Sequence, residues 1–173
     1  MTEPLPYRLN VGAVLFNRAG KCFVGRRADL PAELGHVWQF PQGGIDAGET
    51  PTDALWRELA EEIGTANAAI LAECPDWLSY DLPPHLVGRA FGGRYRGQRQ
   101  RWFALRFLGE DAEIDLAAHA DVEFSEWRWV RLAEAPSLAV EFKRPIYERL
   151  ALEFGRFGVE EDGQGSALDR WGQ

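Results

Sequence analysis

Residues 43–65 read GGIDAGETPTDALWRELAEEIGT, and Arg57-Glu58-Leu59-Ala60-Glu61-Glu62 within them sets the chemistry. On a helix of about 3.6 residues per turn, Glu58, Glu61 and Glu62 stand at i, i+3 and i+4 and share one face. Three carboxylates on one patch repel one another. A hard divalent cation with oxygen ligands relieves that repulsion and often takes a phosphate as well. The pattern points to a magnesium site built for phosphate chemistry.

The same stretch specifies its helix. Thr50 is placed as N-cap, Pro51 fits N1, and Asp53 falls at N3 in capping-box position. Ala54, Leu55, Leu59 and Ile63 supply an apolar face, and Gly64 a C-terminal stop. The glutamates lie toward the C-terminal half, where the helix dipole disfavours negative charge. A local rule broken in this way marks a functional site.

Gly43, Glu49, Arg57, Glu58, Leu59, Glu61, Glu62 and Gly64 match the Nudix box, and the chain resembles the Nudix hydrolases. Thr65 departs from the box, standing where an aliphatic residue is usual. The resemblance implies an α/β protein, the Nudix α/β/α sandwich with a mixed central sheet. It also implies metal-dependent hydrolysis of a nucleoside-diphosphate-linked compound. Carried over position by position, Glu58, Glu61 and Glu62 bind magnesium or manganese, with the Gly43 carbonyl as a further ligand. Glu49 braces the loop, and Arg57 orients a glutamate through a charge-assisted hydrogen bond. Glu62 and Glu123 are the candidates for the base, with Glu123 favoured as base or metal ligand.

Outside the box, five stretches resemble bacterial RNA pyrophosphohydrolases and their dinucleoside polyphosphate hydrolase relatives. They are Tyr7–Gly12, Trp38–Ile45, Gly97–Phe103, Glu123–Val130 and Val140–Arg144. Arg8, Arg27, Gln98, Arg101, Lys143 and Arg144 are then expected on the phosphates or the RNA backbone. Phe142 either stacks on a base or is a core residue opening the last helix. Asp81 and Pro84 depart from the subfamily, which often has basic or polar residues there. Three functions follow. The first is hydrolysis of the 5′-terminal polyphosphate of RNA to a 5′-monophosphate. The second is hydrolysis of dinucleoside polyphosphates such as diadenosine tetraphosphate. The third, a non-catalytic nucleotide-binding regulator, is disfavoured by the intact box.

With 173 residues, 46% of them hydrophobic, the chain can build one sizeable core. A hydrolase domain is expected over 1–158 and an acidic, flexible tail over 159–173, with packing of Trp171 onto the body left open. No apolar run is long enough to span a membrane and the first residues lack signal-peptide character, so a cytoplasmic protein is expected. Cys22 and Cys74 read as buried thiols of a reducing compartment. No protein partner is predictable. The net charge of −8 argues against nucleic acid as a sum. Its distribution argues otherwise, because residues 82–109 carry six arginines and no acid.

Strands are expected at Val11–Phe16 and Cys22–Arg26, about a turn at Asn17–Gly20, and at Gln98–Leu108, a central strand apolar on both faces. One or two more fall between Thr65 and Tyr80, and a short one at Trp127–Val130. The segments 29–35, 83–97 and 111–123 read as loops. Phe142–Phe157 reads as the last helix, with Pro145 near its start.

Overall fold

The computed structural model describes residues 4–31 and 33–160. Most of the expected tail, Trp171 included, lies outside the described residues. The strands are β1 (Tyr7–Phe16), β2 (Cys22–Arg27), β3 (Trp38–Gln39) and β4 (Gln42–Gly44), then β5 (Ala68–Glu73), β6 (Leu78–Asp81), β7 (Gly97–Phe107) and β8 (Phe124–Val130). Helix α1 (Pro51–Ile63) follows β4, while α2 (Ala135–Leu138) and α3 (Arg144–Phe154) follow β8.

The strands form one mixed sheet in the order β3-β2-β1-β7-β5, with β4 beside β1, β6 beside β7 and β8 beside β2. Its spine is the parallel pair β1 and β7, in register from Tyr7 with Gly97 to Phe16 with Arg106. Alternation along these two strands builds two cores. Val11, Ala13 and Leu15, with Phe103, Leu105 and Phe107, pack with Leu55, Leu59 and Ile63 of α1. Val14 and Phe16, with Trp102 and Ala104, pack with Tyr147, Leu150 and Phe154 of α3. Each such large side chain contributes about 1.5–3 kcal/mol on burial. Helices on both faces of the sheet give the expected sandwich.

Trp102 keys one core. Phe40 and Tyr147 meet its ring edge-on at centroid distances of 5.9 and 6.2 Å. Gly12 lies against it, and a Cβ there would sit 2.4 Å from the indole. The Tyr147 hydroxyl accepts the Phe40 N–H at 2.9 Å, tying α3 to the link between β3 and β4 that leads into the box.

The sheet is split at the site. Along one edge of β1, β4 pairs with Asn10–Gly12, while β2 meets only Phe16. Beyond β7 the edge is likewise shared, by β6 toward its start and β5 toward its end. The split brings Gly43 up to α1. The expected last helix is divided, with α3 flanked by 3-10 turns at Glu141–Lys143 and Gly155–Phe157. Pro145 has no N–H to donate and sits in the first turn of α3, where none is needed. Leu108 falls beyond β7 and is exposed. Cys22 and Cys74 are buried free thiols, and burial pushes the Cys22 thiol up to about 12. Among the described residues no helix is long and apolar enough to cross a membrane.

Candidate active site

The ends of α1 fix where its glutamates point. Thr50 Oγ1 accepts the Asp53 N–H at 3.1 Å, as its N-cap position requires. Gly64 adopts φ 77° and returns its N–H to the Ala60 carbonyl at 3.0 Å. Glu58 and Glu62 then face β4. A Cβ on Gly43 would lie 2.0 Å from the Glu58 carboxyl carbon, so only glycine lets the strand approach this closely. The Gln42 N–H donates to Glu62 Oε2 at 3.1 Å.

Arg57 organises the acids around it. Its Nε and Nη2 grip both oxygens of Glu49 at 2.8 Å each, a bidentate fork. Nη2 also reaches the Gly44 carbonyl at 2.9 Å, which ties the loop to the helix. The remaining nitrogen, Nη1, donates to Glu58 at 2.8 Å and to Glu61 at 3.2 Å. The guanidinium holds the Glu49 carboxyl well below its ordinary range.

Glu62 is the most constrained acid, only 6% exposed. Burial raises its proton affinity well above normal, and the nearby charges of Glu123 and Glu58 raise it further. Burial also raises Glu58 and Glu123. Glu58, Glu62 and Glu123 line two adjoining spaces. One is an acidic cleft of about 200 Å³ completed by Glu61, His119 and Asp121. The other is a cavity of about 600 Å³ that extends over Arg8, Arg27, Tyr80, Phe142 and Lys143. Among the described residues no three acidic, histidine or cysteine side chains are already gathered as a metal cage. Glu58 and Glu61 are instead turned to Arg57.

In the larger cavity Lys143 is 8% exposed, and burial, then the charge of Arg27, bring its ammonium down to about 8. Gln39 stands between Lys143 and Glu123, 3.5 Å from each. Arg27 is gripped by Asp29 at 2.7 and 3.1 Å. Phe142 lines the cavity and also packs on the core, with its ring 5.5 Å from that of Tyr80.

Three expected site residues, Gln98, Arg101 and Arg144, do not line the cavity. Arg101 points to the opposite face of β7, where it pairs with Glu73 and lies 5.6 Å from the Trp77 ring. The period of two along a strand explains this, since Gln98 and Gln100 take the cavity side. Arg144 caps the Pro136 carbonyl at 3.1 Å and does not line the cavity. Gln98 is buried beneath the cavity, accepting from Arg8 and Asn10 at 2.9 Å each and donating to the Tyr80 hydroxyl at 2.6 Å. Gln100 continues this network to Asn10 and Gln42. Sequence reasoning missed Asn10, Gln39, Gln42, Gln100, His119 and Asp121. The available signal was Asn10, Gln98 and Gln100, polar residues at period-two positions in otherwise buried strands.

The capped glutamate helix, the Arg57 fork and the sandwich define a Nudix hydrolase. A NUDIX domain profile matches residues 6–150, and the chain belongs to that family. It is 63% identical over 159 residues to the RNA pyrophosphohydrolase of Acidiphilium cryptum, covering 92% of this chain and 96% of that protein. It is 54% identical over 157 residues to the RNA pyrophosphohydrolase of Rhodospirillum rubrum, covering 91% and 92%. Among solved structures, the E. coli dihydroneopterin triphosphate pyrophosphohydrolase shares the fold with a TM-score of 0.64 at 20% identity, over 86% of this chain and 99% of that one. A C. elegans Ap4A hydrolase complex shares it with a TM-score of 0.58 at 16% identity, over 84% and 98%.

Proposed function

We propose that this Nudix hydrolase removes the 5′-terminal polyphosphate of RNA, leaving a 5′-monophosphate and releasing pyrophosphate or phosphate. One observation carries the reading. A single cavity joins the carboxylates of Glu58, Glu62 and Glu123 to three cations and to the rings of Tyr80 and Phe142. Such a space suits a polyphosphate with an unpaired base at its end. The names of the relatives point the same way.

Hard oxygen donors crowded in a buried wall fit magnesium or manganese. Glu58, Glu61 and Glu62 would hold the ion, with Glu123 and the Gly43 carbonyl as further donors. When present, such an ion neutralises phosphate oxygens and lowers the pKa of water. Arg57 keeps Glu58 and Glu61 in place, and Glu49 keeps Arg57 in place. Arg8, Arg27 and Lys143 offset the negative charge of the phosphate chain. Glu123, or Glu62, takes the proton of the attacking water. Phe142 offers a face for the first bases. A cytoplasmic place in mRNA decay follows from this activity.

The same cavity would accept a dinucleoside polyphosphate, so the test compares the two substrates. Steady-state kinetics on 5′-triphosphorylated RNA are expected to give a higher kcat/KM than diadenosine tetraphosphate. The reverse order favours the dinucleotide, and no RNA product at high enzyme defeats the proposal.

A further inference from the structure

Phe91 is the one non-glycine with positive φ among the described residues, at φ 55° and ψ 38°. A bulky side chain is disfavoured in that left-handed region, whereas glycine enters it freely. The loop has glycines to spare, with Gly88, Gly92 and Gly93 at φ 87°, 69° and 74°. A phenylalanine held there is therefore placed for what its ring touches. The ring lines the large cavity beside Leu86 and Ala90. The guanidinium of Arg8 lies over it, 5.2 Å from the centroid. On its other sides Arg8 donates to Gln98 Oε1 at 2.9 Å and lies against Gly44, where a Cβ would be 2.3 Å from Nη2. The loop that carries Phe91 is tied down by the Leu82 N–H on the Arg96 carbonyl at 2.8 Å and the Ala90 N–H on the Leu86 carbonyl at 3.0 Å.

We infer that Phe91 is a positioning residue, its ring face holding Arg8 extended into the cavity to receive the terminal phosphates. The inference rests on the polyphosphate reading above. A long arginine at a cavity rim otherwise loses side-chain entropy when it binds an anion, and a ring that already fixes it removes part of that cost. The acid-free arginine segment of the sequence thus contributes to the site through a phenylalanine rather than through its own charges.

Calorimetry with inorganic tripolyphosphate, without divalent ions, tests this independently of turnover. Phe91→Leu keeps the apolar bulk and the backbone strain but removes the π face, so binding weakens about three- to tenfold. Phe91→Tyr restores it. In an Arg8→Gln background Phe91→Leu adds nothing, since the partner is gone. With RNA, Phe91→Leu raises KM more than it lowers kcat. Unchanged binding in Phe91→Leu, or effects additive with those of Arg8→Gln, overturns the inference while leaving RNA hydrolysis standing. Coupling between the two residues without RNA hydrolysis upholds it and removes the proposed function instead.

Discussion

Glu62→Gln lowers kcat at least a hundredfold, a loss of about 2.7 kcal/mol, without loss of the fold. The amide keeps an oxygen to accept the Gln42 N–H, now made at 3.1 Å, but it removes the charge. It also removes a buried carboxylate that Glu58 and Glu123 repel. Metal-free, the variant is therefore expected to be at least as stable as the wild type. The proton affinity of Glu62 is raised in the fold, so its ionised form costs stability once pH exceeds the unfolded value of 4.5. That penalty is complete above the raised folded value, and it is absent from the variant. Thermal melts with and without magnesium check both halves. The wild type gains more Tm from the ion than the variant does. A variant with wild-type kcat, or with the same magnesium-dependent gain in Tm, contradicts the role given to Glu62.

Arg57→Lys is expected to cost at least tenfold in kcat/KM, about 1.4 kcal/mol. The fork uses Nε, Nη1 and Nη2 on four partners at once, Glu49, Gly44, Glu58 and Glu61. A lysine offers a single nitrogen and cannot reproduce bidentate geometry. Glu49→Gln is expected to act through the same unit. The double variant should therefore lose little more than the worse single variant, and losses that multiply would show that the residues act independently. Circular dichroism melts separate this from misfolding, because most of the α1 core is made by Leu55, Leu59 and Ile63.

Helix α1 was legible to its caps, because Thr50, Pro51 and Gly64 each have a local reason for their place. The carboxylate face was legible from spacing, and Glu123 was singled out only through family resemblance. The long strand was legible because both of its faces are apolar. The short strands β3 and β4 were not, since two or three residues show no periodicity. They exist because β1 and β2 offer open edges there. Arg101 and Arg144 stand in stretches that resemble the subfamily and carry a suitable charge, but neither feature says which way a side chain points. The strand period turned Arg101 to Glu73, and the Pro136 carbonyl took Arg144. The buried chain of Asn10, Gln98 and Gln100 depends on β1 and β7 lying parallel, a pairing distant in sequence.

In the proposed function the carboxylate wall and the cation-lined cavity together process the 5′ end of RNA. The direct measurement is the identity of the RNA end after incubation of 5′-triphosphorylated RNA with the protein and magnesium. A 5′-monophosphate is expected with the wild type, and is expected to be lost with chelator or with Glu62→Gln. An unchanged triphosphate at high enzyme with magnesium or manganese, or equal product from Glu62→Gln, would contradict the account.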